Sequence, residues 1–209
     1  MSSRNVNLLV VHCSATASGK PLIRGTPGAS GYRNCAQVID AWHAERGFAR
    51  KDAARQAFNP TLASIGYHFV IDITGEVFTG RGVDEIGAHA AGHNSASVGI
   101  CLVGGVEREG RYTQAQWKSL ASVVQWQTTE HRIPLAPPLR NGDIVWRGVC
   151  GHRDLSPDTN ADGKVDMKVK LIDKIAAADF LVCISRFARS QLMKLSPEIR
   201  LMFASLIPD

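Results

Sequence analysis

Residues 98–103 (VGICLV) are apolar at every position and stop at Gly104-Gly105. A run of that length without polar alternation reads as a strand buried inside a sheet. Residues 7–12 (NLLVVH) form a second such run, with His12 at its end, and residues 144–150 form a third, which exits into His152. Residues 67–73 alternate, Thr74-Gly75 makes a turn and residues 77–79 return, the pattern of a β-hairpin. Helix signals fall between the strands. Asn34 caps a segment with Val38, Ile39 and Trp42 at helical spacing and Gly47 as its stop. Thr113 caps residues 114–130, whose Trp117, Leu120, Val124 and Gln127 share one side. Residues 14–33 and the stretch up to Pro60 read as loops. Strands and helices alternate, so the predicted fold is α/β, a single domain with a central mixed β-sheet flanked by helices. A chain of 209 residues holds one such domain and an appendage.

Composition narrows the functional classes. No apolar run approaches the roughly 18 residues of a bilayer-spanning helix, and the first apolar run ends in His and Cys rather than at a small-residue cleavage site, so no signal peptide is read. The five cysteines are odd in number and lack CxxC spacing, which argues against a disulfide scaffold or a zinc ribbon. The formal charge of +5 favours a polyanionic partner. Residues 167–209 carry seven Lys/Arg and four Asp/Glu, so this tail contributes +3 of that charge. Within it Ile184, Phe187, Leu192 and Leu195 follow helical spacing beside Arg186, Arg189 and Lys194, which predicts a basic amphipathic helix.

His12 and His152 each follow an apolar strand and open a polar loop, where ligands and catalytic groups gather. Imidazole is the commonest ligand of catalytic zinc, which needs three protein ligands and an open position. From spacing alone, a metal site and two histidines bonded to backbone carbonyls both remain open. Residues 158–166 (DTNADGKVD) place oxygen ligands at positions 1, 3, 5 and 9 of a calcium loop with Gly163 at position 6, but position 12 is Val169 instead of a bidentate Glu. A calcium loop and a plain solvated acidic loop both fit.

The motifs VVHCSAT, GYHFVID with TGEVFTGR, GAHAAGHNSASVGICLVGG and GHRDLSPD occur in this order. Together they resemble the zinc-dependent N-acetylmuramoyl-L-alanine amidases of the phage lysozyme and peptidoglycan-recognition-protein superfamily, over residues 6–166. The resemblance implies an amidase catalytic domain at 1–166 and a tail at 167–209 outside the family pattern. It implies cleavage of the amide between N-acetylmuramic acid and the L-alanine of the stem peptide. It implies zinc held by His12 and His152, Tyr67 beside the nucleophilic water, and a substrate loop that includes His89, Gly92 and Asn94. His43 and His68 match positions read as structural, the latter alternating with Tyr67 along its strand.

Two departures stand out. Other branches carry a glutamate in the strand where this chain has Cys101, which fits the tyrosine-using phage branch. The family's third zinc ligand, a Cys or Asp after a Lys, is not found from Met167 onward; Lys164-Val165-Asp166 lies inside the acidic loop, and Cys183 lacks the flanking Lys and Pro. The alternative reading is therefore a peptidoglycan-binding module with an incomplete zinc site and impaired hydrolysis. A faint likeness of the tail to a piece of retaining glycosyltransferases gives a weaker third reading. The expected partner is peptidoglycan and not nucleic acid, with the basic tail touching the anionic cell envelope. The expected state is a monomer, held in the host cytoplasm until release to the wall.

Overall fold

The computed structural model describes residues 4–106, 112–135 and 147–155. The acidic loop at 158–166, the tail at 167–209 and the beginning of the third predicted strand lie outside them. Strands β1 (Leu8–Cys13), β2 (Phe69–Ile71), β3 (Val77–Thr79), β4 (Ser97–Leu102) and β5 (Gly148–Gly151) form one sheet in the order β3-β2-β4-β1-β5. Only β3 runs antiparallel to its neighbour, closing the expected hairpin with β2, so the sheet is mixed as predicted.

Helices α1 (Cys35–Glu45) and α3 (Gln114–Glu130) both start at capping boxes, Asn34 with Gln37 and Thr113 with Gln116, in which each cap side chain and its partner satisfy one another's backbone N–H. Between them lies α2 (Asp52–Ala57), where the sequence reads as loop. The reason is physical: α2 has six residues, no side-chain cap bond and no buried residue, so no amphipathic stripe announces it.

Strand alternation divides the sheet into two faces. Leu9, Val11, Phe69, Ile71, Val98, Ile100 and Leu102 point one way and pack with Leu120 and Val124 of α3 in the main core. Val70 and Cys101 point the other way, into a second cluster with Cys35, Ala36 and Ile39 of α1 and with Leu62 and Ile65. By the same alternation His12 lies on this α1 side, along from Leu8 and Val10.

Candidate active site

His12 sits inside β1 rather than beyond its end, in register with Cys101 of β4, and is 7% exposed. The sequence places it at a strand edge; the ladder continues through it to Cys13, so its ring works from a sheet face. His152 opens the single 3-10 turn that follows β5, and the Asp154 carboxylate accepts the Gly151 N–H at 2.7 Å to hold that turn. The two imidazoles, 140 positions apart in the chain, meet with ring centroids 4.6 Å apart. Tyr67 and His89 complete the cluster, each with its ring 5.0 Å from that of His12.

His89 reaches this point because two glycines leave room for it. A methyl group on Gly99 would stand 2.5 Å from the His89 ring, and one on Gly87 would stand equally close. Its Nδ1 lies 3.0 Å from His12 Nε2, so one ring donates and the other accepts. Burial first, and then the neighbouring imidazoles of His89, His152 and His43, press the His12 pKa down to about 2. Burial and the nearby His68 and Arg4 do the same for His89, also to about 2. Both rings are neutral at ordinary pH. Burial raises the Tyr67 phenol, helped by Cys101 and Cys13, so its hydroxyl keeps its proton.

Asn94 and Gly92 shape the loop that carries His89. The Asn94 Oδ1 accepts the N–H groups of His89 and Ala90, both at 2.8 Å, and so fixes the loop from within. Gly92 adopts φ +80° with open space where a side chain would be, which makes its requirement one of backbone conformation. His43 and His68 are bound into the fold. His43 Nδ1 accepts the Gly66 N–H at 2.9 Å, and its ring packs 5.3 Å from Tyr67. His68 Nδ1 accepts the Gly99 N–H at 3.0 Å, which leaves Nε2 to donate to the Glu85 carbonyl at 2.9 Å.

Sequence reasoning missed the residues that anchor this loop. Arg4 donates to the carbonyls of Val83, Asn94 and Ser97, tying the segment before β1 to both ends of the loop. Buried Arg50 pairs with Glu85 at 2.7 Å and also donates to the carbonyls of Phe58 and Leu62, while Arg81 meets Glu85 at 3.2 Å. Single arginines in polar stretches carry no local pattern that would have found them.

Fold and cluster define an α/β domain with a histidine-centred site on one sheet face. Residues 2–166 match the family model described as N-acetylmuramoyl-L-alanine amidase. An uncharacterized protein of Haemophilus influenzae is 48% identical over 103 residues, covering 47% of this chain and 78% of that one. The endolysin of Escherichia phage T7 is 33% identical over 124 residues, covering 57% of this chain and 65% of the endolysin. The endolysin of Klebsiella phage KP32 is 35% identical over 120 residues, covering 56% and 62%. The chain thus spans just under two thirds of the endolysins it resembles. Among solved structures, the N-acetylmuramoyl-L-alanine amidase LysC from Clostridium intestinale is 24% identical over 73% of this chain and 74% of that one, with a TM-score of 0.49. The chain belongs to the N-acetylmuramoyl-L-alanine amidase family, as its motifs imply.

Proposed function

We propose that this protein hydrolyses the amide between N-acetylmuramic acid and the L-alanine of the stem peptide in peptidoglycan, using zinc held by His12 and His152. The observation that carries the reading is the convergence of buried His12, half-buried Tyr67 and His89, and exposed His152 on one point of the sheet face, open to solvent at His152. The donors fit the metal: the two rings are 4.6 Å apart, and His12 is held in the neutral form that ligation requires. Zinc, when bound, supplies a water of pKa near 7 and polarises the scissile carbonyl. Among the described residues no third metal-binding side chain joins the pair, and the reading assigns the remaining position to the chain after His152 or to water.

Each residue then has a task. His12 and His152 orient the nucleophile. Tyr67, protonated at neutral pH, either receives a hydrogen bond from the nucleophilic water or donates one to the developing oxyanion. A ligand on His12 Nε2 would displace the His89 Nδ1 contact, freeing that nitrogen to face the peptide or the tetrahedral intermediate. Gly92 and Asn94 keep the loop that forms the groove wall. Calcium at residues 158–166 is a separate proposal, independent of this site.

Zinc content and muralytic activity of the purified full chain, measured before and after chelation, test the reading. Bound zinc, loss of activity in EDTA and recovery on zinc addition are expected, with His12→Ala and His152→Ala each inactive and zinc-poor but folded. Activity persisting in EDTA would sink the zinc mechanism. Peptidoglycan binding without hydrolysis in zinc-loaded protein would instead establish the impaired binding module.

A further inference from the structure

The 3.0 Å contact between His12 Nε2 and His89 Nδ1 needs one hydrogen and one bare nitrogen, and the two rings alone do not decide which is which. The decision lies on the far side of His89. Its other nitrogen, Nε2, is 3.4 Å from the hydroxyl oxygen of Ser97, the fully buried first residue of β4. That hydroxyl donates to the His93 carbonyl at 2.8 Å. A serine has one hydrogen and a carbonyl can only accept, so the line of contacts has a direction. With its hydrogen on the His93 carbonyl, Ser97 meets Nε2 with lone pairs only. Nε2 then carries the His89 hydrogen, Nδ1 is bare, and His12 Nε2 is the donor between the two rings.

We propose that Ser97 is a positioning residue: it fixes His89 in the tautomer with its hydrogen on Nε2, and so makes Nδ1 a hydrogen-bond acceptor turned toward His12. The task this gives His89 rests on the amidase reading under Proposed function, whereas the tautomer does not. The hydrogen bond made by one nitrogen of a neutral imidazole decides the state of the other. Without the Ser97 hydroxyl, a hydrogen on Nε2 would have no acceptor, and the form with the hydrogen on Nδ1 would be populated as well. The ring is held in place by its fit against Gly87 and Gly99, where a methyl on either glycine would stand 2.5 Å from the ring carbon Cδ2. A bare Nδ1 can accept from a water or from a peptide N–H of the substrate. It repels an oxyanion, which brings no hydrogen. His89 therefore serves the peptide, and the developing negative charge falls to Tyr67. Ser97 stands behind His89 and acts only through it.

Nuclear magnetic resonance of the full chain with 15N-labelled histidine, at neutral pH and with chelator present, tests this, because bare and hydrogen-bearing ring nitrogens differ widely in 15N shift. The chain has seven histidines, and His89→Ala identifies the His89 signals. The wild type is expected to show a bare Nδ1 and a hydrogen-bearing Nε2, and Ser97→Ala to show both signals displaced toward a mixture of tautomers. That variant removes one oxygen and leaves the His93 carbonyl the Ala96 N–H at 3.2 Å, so the fold is kept. Ser97→Thr, which restores the hydroxyl, returns the wild-type pattern. In zinc-supplied protein acting on a soluble muropeptide, Ser97→Ala lowers kcat/KM about two- to fivefold, and it has no further effect in the His89→Ala background, since coupled residues do not add. A wild type with the hydrogen on Nδ1, or a Ser97→Ala pattern identical to that of the wild type, would overturn the proposal. A changed tautomer with unchanged kcat/KM would overturn the task given to His89 and keep the assignment of the hydrogen. A wild type inactive with zinc would instead sink the amidase reading, and the tautomer measurement, made without metal or substrate, would still stand.

Discussion

The two faces of the sheet are made by the same strands and differ in kind. On the α3 side β1 contributes Leu9 and Val11 and β4 contributes Val98, Ile100 and Leu102, all 8% exposed or less, and the buried Gln116 and Ser119 of α3 donate to the backbone carbonyls of Val103 and Gly75. On the α1 side the alternate residues of those strands are Val10 and His12, Gly99 and Cys101. A glycine leaves a gap there, an imidazole and a thiol replace aliphatic groups, and the loop held by Arg4 and Arg50 lays His89 into the space. Because strand side chains alternate with period two, one strand can place stability on one face and chemistry on the other. Chemistry confined to one face can change without emptying the core.

One substitution on each face of β4 and β1 tests that division with the largest effect. Ile100→Ala removes buried methyl groups from the α3 core and should cost about 2–5 kcal/mol of stability, with kcat per folded molecule kept. His12→Ala should do the reverse, with activity reduced to background and Tm within a few degrees of wild type. Calorimetry and activity on the same samples decide. A His12→Ala protein as unstable as Ile100→Ala would show that the site is part of the core, and the division would fail.

Much of this was legible in the sequence because the signals are periodic or punctuated. The all-apolar run around Ile100, the capping Asn34 and Thr113 and the Thr74-Gly75 turn each correspond to an element of the structure. The helix α2 was not legible, since it buries nothing. Within the site, His12 and His152 stand out as histidines at strand ends, Tyr67 and His89 only through motif resemblance, and the structure brings all four together. Asn94 also stood out, as part of the groove wall, and its side chain turns out to bind the backbone of that loop. The arginines that pin the loop escaped because a buried cation is defined by carbonyls far away in sequence, such as Ser97 for Arg4. Gly99 escaped too, because a glycine inside an apolar run looks like a small residue until the ring above it is seen.

Gly99 gives an intermediate test. The added methyl of Gly99→Ala would meet the His89 ring at 2.5 Å, so the ring has to move and its 3.0 Å contact with His12 has to lengthen. Misplacing a positioned group by about 1 Å costs up to about 10²-fold in rate, and a loss of about 10-fold to 10²-fold in kcat/KM is expected with the α3 core untouched. Unchanged kcat/KM in a variant whose His89 is seen displaced would remove His89 from the chemistry.

The last expected effect is a pH dependence of stability centred on the α1 face, where His68 is fully buried. His68 Nδ1 can accept the Gly99 N–H only while unprotonated, and burial holds the pKa of this ring down to about 3. In the unfolded chain the same ring titrates near 6.5. Below about pH 6.5 the unfolded state therefore binds a proton that the folded state refuses. The contribution of His68 is complete above that pH and is lost as pH falls toward 3, with a slope of up to about 1.4 kcal/mol per pH unit. His43, held down to about 4 chiefly by burial, adds in the same direction. Denaturant unfolding between pH 4.5 and 7.5, with chelator present so that metal binding adds no pH dependence of its own, should show stability falling with acid. The slope should be shallower in His68→Asn, whose amide oxygen can still accept the Gly99 N–H but does not titrate. Equal slopes in the two proteins would mean that His68 leaves its two bonds before the sheet unfolds, and that the α1 face opens locally while the α3 core holds.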